Sequence, residues 1–333
     1  MKKVTISDVA KHANVSKSTV SQFTNGRYHY MNIETKKRIK KSIDELGYQG
    51  NFIARSLRVK RTSTIGVIIA NVLHFSSPSV IRAIEDVCNK HNIHVIVCNA
   101  DENPHKEKKY INMLQAKQLD GLIVFPTGAN VDLYKSMVVD NYPIVFMDRL
   151  INELSVDAFL LDNEMASHLA VSYLVKQKHQ KIGIITPPLD RKISPRIERI
   201  QGYKKALHDH GINVRKNYIG NVEIDEVEQE IYRMTHLNDP PTAIYLINDL
   251  ILMEALNYIK KNNINMPEEL EIISVDDVPF ADIYNPALTT IRQPWFKMGK
   301  DAAHLLLKKT HDSNKLQVKR EVYRYKPELI ARR

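Results

Sequence analysis

The 333-residue sequence predicts an N-terminal all-α helix-turn-helix headpiece followed by an α/β core of two doubly wound parallel-sheet subdomains. Two short amphipathic segments joined by a tight turn, within residues 5–25, predict the headpiece. Apolar runs that alternate with amphipathic segments from about residue 62 onward predict the core. The charge agrees with this division, because the whole excess of +10 lies in residues 1–61, which contain fourteen Lys or Arg and four acids.

The first predicted helix lies in VTISDVAKHAN, residues 4–14. Thr5 and Asp8 match the S/T-x-x-D/E pattern of a helix start. An apolar stripe accompanies them at Ile6, Val9, Ala10 and Ala13. Asn14 suits the turn that follows, because Asn tolerates a left-handed backbone.

The second predicted helix lies in NVSKSTVSQFTNG, residues 14–26, and runs from about Lys17 to Thr24. Ser16 can cap its N-terminus, and Val15 and Val20 are spaced as a hydrophobic staple. Val20 and Phe23 fall on one side of the helix, and Asn25-Gly26 ends it. The opposite edge is polar and carries Lys17, Ser18, Ser21 and Gln22.

Two interpretations of this helix pair are open at this point, a hairpin that only packs and a DNA-binding motif. The remaining 272 residues are balanced, with 34 basic and 34 acidic side chains. A basic module attached to a neutral body is typical of nucleic-acid binders, so the charge favours the second interpretation.

The composition also predicts where the protein is found. No apolar run reaches eighteen residues, and no apolar segment follows the basic N-terminus, so neither a membrane span nor a signal peptide is expected. Cys88 and Cys98 are the only cysteines, and we expect both to be buried free thiols without a metal-binding role. These features predict a cytoplasmic protein without a cofactor.

The body of the chain alternates strands and helices. The predicted strands lie at 64–71, 94–99, 121–126, 143–148, 158–162, 181–186, 242–247 and 271–275. The predicted helices lie near 79–91, 104–118, 130–141, 164–178, 195–210, 226–237, 248–262 and 296–309. Eight such units favour two similar halves with a boundary near 149–157.

Ligands of such sheets bind beyond the carboxyl ends of the strands. The polar residues there, with an aromatic neighbour, suit the hydroxyls and ring of a sugar. Arg149, Arg196 and Arg199 converging on one cleft would instead favour an anionic ligand. Asp249 and Asp277 are as readily explained as ordinary loop residues or helix caps.

Two other classes of protein share parts of this pattern. A transport or chemotaxis sugar-binding protein would share the core, but it would need export and would not need the headpiece. An enzyme on an α/β fold would be expected to carry a motif such as G-x-G-x-x-G, Walker A, a nucleophile elbow or H-E-x-x-H, and the sequence has none of them. We therefore expect a protein that is not an enzyme.

The full chain resembles the LacI/GalR family of bacterial transcription regulators. The resemblance is carried by TISDVAKHANVSKSTVSQFTN, NFIARSLR, MDR, PRIERIQGY, IND, DD and NPALTTIRQP. It implies a homodimeric repressor of sugar or sugar-acid catabolic genes that binds double-stranded operator DNA of pseudo-palindromic sequence. A regulator that activates, or that needs a protein co-regulator, is the alternative.

The resemblance also implies the domain boundaries. These are a headpiece at 1–49, a hinge helix or linker at 50–62, and an effector-binding and dimerisation core at 63–333 like a periplasmic sugar-binding protein. Within the core, the N-subdomain would span about 63–155 plus about 290–320. The C-subdomain would span about 156–289 plus the C-terminal strand. The ending KPELIARR has no leucine heptad, so no tetramerisation segment is expected.

For DNA, the resemblance makes Lys17, Ser18 and Gln22 the residues that read base edges in the major groove. In the hinge, Leu57 matches the leucine that wedges between base pairs in the minor groove. The full set of expected DNA contacts is Thr5, Ser16, Lys17, Ser18, Thr19, Ser21, Gln22, Asn25, Asn51, Ala54, Arg55 and Leu57. The loop GRYHYMN is one residue longer than is usual in the family, and Asn14 and Ser274 stand where the family commonly has Gly.

For the effector, the resemblance implies contacts from His74, Phe75, Ser76, Thr127, Asp148, Arg149, Arg196, Arg199, Asn248, Asp276 and Gln293. Trp295 is either a wall for sugar stacking or a core residue. The stretches STVSQF and RAIEDVCNKH are similar to regulators of pectin or hexuronate catabolism. This similarity implies 2-keto-3-deoxygluconate as a possible effector, which would suit the Arg cluster.

Overall fold

The chain divides into two compact units, residues 1–62 and 63–333. Its structure is a computed structural model that describes residues 4–29, 31–48, 62–311 and 320–332. The described part of the first unit holds helices α1 (Ile6–His12), α2 (Lys17–Thr24) and α3 (Ile33–Leu46). A small buried core joins them, formed by Val9, Ala10, Ala13, Val20 and Ile39.

The second unit contains the α/β core. Its strands are β1 (Thr64–Ile69), β2 (His94–Asn99), β3 (Gly121–Val124), β4 (Ile144–Met147), β5 (Asp157–Leu161), β6 (Ile182–Thr186), β7 (Ile219–Asn221), β8 (Ala243–Leu246), β9 (Glu271–Val275), β10 (Thr290–Arg292), β11 (Val322–Tyr325) and β12 (Glu328–Ile330). Its helices are α4 (Ser77–Lys90), α5 (Pro104–Ala116), α6 (Val131–Val139), α7 (Asn163–Lys176), α8 (Ser194–Asp209), α9 (Val227–Thr235), α10 (Asp249–Lys261) and α11 (Trp295–His311). Every predicted strand and helix of the core is therefore confirmed in kind, with bounds shifted by a few residues.

The strands form two six-stranded sheets. The first has the order β11-β5-β4-β3-β1-β2 and is parallel throughout. The second has the order β12-β10-β9-β8-β6-β7 and is parallel except for the β10–β12 pair. The central strands are buried along their whole length, because helices cover both faces of each sheet.

The predicted boundary between the two halves is corrected by the sheet pairing. Residues 157–161 were expected in the second half, but β5 pairs with β4 in the first sheet, so the first crossing follows Leu161. Residues of about 290–320 were expected in the first half, but they are divided between the two halves. Strand β10 belongs to the second sheet, whereas α11 packs against α4, β3 and β4 of the first half.

The last two strands complete this exchange between the halves. β11 joins the first sheet beside β5, and β12 returns to the second sheet beside β10. The chain thus crosses between the halves three times. Cys88 and Cys98 are buried and unbonded, as predicted. Within the described residues, no helix is both long enough and apolar enough to span a membrane.

Candidate DNA-reading helix and effector cleft

Helix α2 is fixed by its own sequence. Ser16 has extended backbone geometry, and its Oγ accepts a hydrogen bond from the Thr19 N–H at 3.1 Å, which confirms the predicted N-cap. Val20 is fully buried and packs with Val15 and Phe23 in the core of the unit. Asn14 has a φ of 51°, so the expected left-handed turn in front of the helix is also confirmed.

The outward edge of α2 carries polar side chains. Lys17, Ser18 and Gln22 are exposed, and Ser21 is half-buried. Ser16 and Asn25 serve the helix ends instead, since the Asn25 Nδ2 donates to the Ser21 carbonyl at 2.6 Å. At the start of α1, the Thr5 N–H and hydroxyl both donate to the Asp8 carboxylate, at 2.8 and 2.7 Å. These hydrogen bonds hold Thr5, Ser16 and Asn25 in place, and the contact of each of them with DNA stays a prediction.

The second unit encloses a cleft between its two sheets, at the carboxyl ends of strands from both. The cavity has a volume of about 70 Å³, and the empty space between its walls is about 620 Å³ when the open solvent is included. Ten side chains of ionisable or amide type line it: Asn71, His74, Glu102, Asp148, Arg149, Arg196, Arg199, Asn248, Asp276 and Gln293. Gln293 and Trp295, at the crossing that leads into α11, close one side of the cleft.

One bridge across the cleft joins His74 to Asp249. His74 lies in the loop after β1, and its Nδ1 is 2.5 Å from the Oδ1 of Asp249 at the start of α10. The N–H of Phe75 donates to the other carboxylate oxygen at 2.6 Å. Burial lowers the pKa of His74, but the hydrogen bond and charge of Asp249 outweigh that effect, so its pKa lies above the usual 6.5.

A second bridge is formed by Glu102, which lies in the loop after β2. Its carboxylate contacts both amino groups of Arg149, with Nη1 at 3.1 Å from Oε2, and it also lies 3.4 Å from the Arg196 Nη2. Burial alone would raise the pKa of Glu102, but the charges of Arg149 and Arg196 lower it to about 2. Burial lowers the pKa of Arg196 to about 10.

Arg199 is held rigidly beneath the cleft by protein groups. Its Nε donates to the Asn163 Oδ1 at 2.9 Å, and its Nη1 donates to the Ile247 carbonyl at 2.6 Å. Asn248, the next residue, caps α10 by accepting from the Ile251 N–H at 2.9 Å. These bonds fix the direction in which each side chain meets a ligand.

Two aspartates line the cleft, one from each half of the core. Asp148 follows β4 with a φ of 63°, and Asp276 follows β9 with a φ of 78°. Left-handed geometry is uncommon for residues with a Cβ and concentrates at functional sites. Asp276 accepts hydrogen bonds from the Gln293 Nε2 at 2.7 Å and the Trp295 Nε1 at 3.1 Å. Burial and the nearby charge of Asp249 raise its pKa.

Comparison with known proteins identifies the family. Residues 5–51 match the model of bacterial regulatory proteins of the lacI family, and residues 171–333 match a periplasmic binding protein-like domain. The chain is 49% identical over 306 residues to the probable HTH-type transcriptional regulator EndR of Paenibacillus polymyxa, covering 92% of this chain and 90% of that protein. It is 31% identical over 309 residues to the HTH-type transcriptional regulator KdgR of Bacillus subtilis, covering 92% and 91%.

The chain belongs to the LacI family of bacterial transcriptional regulators. Its fold matches the crystal structure of the lac repressor dimer bound to operator and the anti-inducer ONPF, with a TM-score of 0.85 and 24% identity. That match covers 99% of this chain and 98% of the other. Members of the LacI family are DNA-binding regulators, so the expected class of protein and fold class are confirmed.

Most of the expected effector contacts of this LacI-family chain meet in the cleft. Nine of the eleven line it: His74, Ser76, Asp148, Arg149, Arg196, Arg199, Asn248, Asp276 and Gln293. Phe75 does not line it, and its ring packs edge-on against Phe280 at 5.7 Å. Thr127 lies in a neighbouring groove, and its N–H donates to the buried carboxylate of Glu107 at 2.7 Å. Their contact with an effector stays a prediction.

Three other expectations are resolved by contacts. Asp277 pairs with Arg292 and Arg332 outside the cleft, so its interpretation as an ordinary structural residue fits the geometry. Trp295 lines the cleft and also packs on the core of the first half, and its stacking against a sugar stays a prediction. The DNA contacts expected at Asn51, Ala54, Arg55 and Leu57 lie outside the described residues.

Glu102 is the functional candidate that the sequence did not reveal. It follows a half-exposed edge strand in the segment ADENPH, which looks like a helix start. The three arginines do converge as predicted, but Glu102 contacts two of them. The anionic ligand that these arginines were expected to favour stays a prediction.

Proposed function

We propose that the protein is a sequence-specific repressor of sugar or sugar-acid catabolic genes. It binds a pseudo-palindromic operator as a homodimer, and a small-molecule effector in the cleft releases it. The observation that carries the DNA-binding part is the exposed polar edge of α2, presented by a unit that holds the entire net charge of +10. Membership of the LacI family supports the same conclusion.

The chemistry of α2 suits direct reading of bases. Lys17 can donate to the O6 and N7 of guanine, and Gln22 can pair with the N6 and N7 of adenine. Ser18 and Ser21 add hydroxyl groups that can donate or accept. Two copies of such a helix, related by a two-fold axis, require half-sites that are inverted repeats. Leu57 would add a minor-groove wedge, with Asn51, Ala54 and Arg55 around it.

The effector part of the proposal rests on the cleft. Its polar groups come from both halves, so a ligand that contacts both favours the closed cleft over an open one. In our proposal this closure weakens DNA binding. The name of KdgR, together with the resemblance to hexuronate regulators, supports the sugar-acid class, with 2-keto-3-deoxygluconate as one possible effector.

The DNA-binding proposal is tested by selecting duplexes from a random library with the full chain. We expect an inverted repeat, and affinity that falls by about 10³-fold or more between about 50 and 200 mM salt. Lys17→Ala and Gln22→Ala should change the preferred half-site, whereas Lys108→Ala, at an exposed position of α5, should not. An unchanged preference in both α2 variants would show that another element reads the sequence.

The effector proposal is tested with the selected operator. A sugar or sugar acid that binds the cleft should lower operator affinity, and Asp276→Asn should abolish that response while operator affinity without ligand stays within about threefold of wild type. If the ligand instead raised operator affinity, the effector would act as a co-repressor and would not release the protein from DNA. Loss of operator binding in the variant itself would point to a folding role for Asp276.

A further inference from the structure

Glu102 is a charged side chain held inside the cleft by arginines from both of its walls. Arg149 follows β4 of the first half, and Arg196 lies in the first turn of α8 in the second half. The exposed fractions of the three side chains are 16% for Glu102, 8% for Arg149 and 10% for Arg196. A carboxylate that contacts both arginines occupies the position in which a ligand carboxylate would be bound.

The backbone around Glu102 is bent in a way that directs this side chain. Asp101 and Glu102 are consecutive residues in the left-handed region, with φ of 50° and 54°. Such geometry costs free energy for residues with a Cβ and persists only where the surroundings enforce it. Here the Glu102 N–H donates to the Ala70 carbonyl at 2.7 Å, which ties the loop to the end of β1.

The charges that line the cleft are balanced. Three guanidinium groups, from Arg149, Arg196 and Arg199, face three carboxylates, from Glu102, Asp148 and Asp276. His74 is paired separately with Asp249. An anionic ligand would therefore meet two arginines already paired with Glu102, and it would also approach two aspartates of its own sign.

Three buried atoms that line the cleft have no hydrogen-bond partner within the described part of the chain. Two are acceptors, Asp148 Oδ1 and Gln293 Oε1, and one is a donor, Arg149 Nε, which lies 3.7 Å from the Asp148 Oδ2. Gln293 is 6% exposed, and its Nε2 is already used by Asp276. Buried acceptors of this kind need donors. Sugar hydroxyls supply such donors, and a sugar acid has one donor fewer because a carboxylate replaces one hydroxyl group.

We propose that Glu102 is the built-in counter-ion of Arg149 and Arg196 and determines the charge of the effector. With Glu102 in place, the cleft selects an uncharged polyhydroxylated ligand, a sugar, over the sugar acid of the same skeleton. This inference rests on the proposed function, since it concerns the same effector, and it narrows the class from sugar or sugar acid to sugar.

Trp295 provides a direct measurement, because it is the only tryptophan in the chain and it lines the cleft. Its fluorescence is followed while the full-length protein is titrated with matched pairs that keep the same ring: glucose and glucuronate, and galactose and galacturonate. The wild type should bind at least one uncharged member, and bind it at least about tenfold more tightly than its acid. Tighter binding of any acid than of its uncharged partner, or no response to the whole panel, would overturn the proposal.

Glu102→Gln removes the charge while keeping the shape of the side chain. It should shift the affinity ratio of each responding pair toward the acid by at least about tenfold, because two guanidinium groups lose their carboxylate partner. The matched control is Asp277→Asn, since Asp277 also bridges two arginines, Arg292 and Arg332, but outside the cleft. It should leave the ratio unchanged.

Folding and DNA binding are measured alongside. A folded Glu102→Gln protein with an unchanged ratio would overturn the role of Glu102. If the variant does not fold, the comparison of the wild type with sugars and acids still decides the proposal. Operator binding without ligand is a separate readout, so failure of the ligand preference with intact operator binding leaves the DNA-binding proposal standing.

Discussion

Asp249 is a single buried side chain that connects the two halves of the core. It is fully buried, and its two oxygens meet the His74 imidazole at 2.5 Å and the Phe75 N–H at 2.6 Å. A carboxylate without these partners would be costly at such a position. The contact between His74 and Asp249 therefore holds the loop after β1 against α10.

The raised pKa of His74 predicts a specific pH dependence of stability. Its pKa is above 6.5 in the folded protein because of Asp249, with a further contribution from Asp276, whereas Arg149 lowers it. The folded state thus binds the proton more tightly, and the stabilisation is complete below pH 6.5 and lost as the pH rises through the folded pKa. We expect the free energy of unfolding of the wild type to exceed that of His74→Gln by about 1.5–3 kcal/mol at low pH. The difference should be smaller at high pH.

Thermal unfolding of both proteins between about pH 6 and pH 9 checks this expectation. The same substitution in an Asp249→Asn background serves as the control, because the partner that raises the pKa is then absent. A difference between wild type and His74→Gln that grows with pH would contradict the assignment.

Among the elements, α2 depends most on local sequence. It has only eight residues, and a helix of that length is marginal on its own. Its stability therefore comes from the Ser16 cap, the left-handed turn at Asn14 and the burial of Val20. Because these features stabilise α2, the side chains on its opposite edge are not needed for packing and can serve DNA recognition.

Removing the cap should loosen this helix. We expect Ser16→Ala to destabilise α2 by about 1 kcal/mol, which lowers the hydrogen-exchange protection of the amides in residues 17–24 about fivefold in the full-length protein. Ser21→Ala is the matched control, because Ser21 lies inside the helix, where Ala is the better helix former. Equal loss of protection in both variants would mean that the cap is not what stabilises α2.

The two units of the molecule have different roles. The first unit carries the charge that attracts DNA, and the second is neutral and encloses a cleft between two sheets. Three crossings connect the halves of the second unit, and Gln293 at one of them lines the cleft. A ligand that fixes the position of one half relative to the other can therefore change the conformation of the second unit as a whole.

Linkage predicts that this regulation works in both directions. If the effector weakens operator binding by a given factor, about 5- to 150-fold in typical cases, the operator must weaken effector binding by the same factor. Trp295 fluorescence titrations with and without operator duplex measure one factor, and gel shifts with and without effector measure the other. A duplex of scrambled sequence is the control, and unequal factors would rule out a single coupled equilibrium.

The sequence by itself determined the elements and the division of charge. Helical and strand periodicity is local, so α1, α2 and the eight main strands of the core could be predicted before any contact was known. The ends of the strands also indicated most of the cleft, because parallel sheets place those ends along one edge. The short strands β7, β10 and β11 were missed, because none of them is a continuous apolar run. The C-terminal strand that was expected in the second half corresponds to β12.

Only the tertiary structure decided which elements belong together. Residues 157–161 are buried along their whole length, a pattern that fits either sheet, and pairing with β4 placed them in the first. The ion pairs of Glu102 were likewise decided only by the tertiary structure. Its partners Arg149 and Arg196 lie 47 and 94 positions further along the chain. A charge becomes a counter-ion only when folding brings its partner within a few ångströms, and no local pattern encodes that distance.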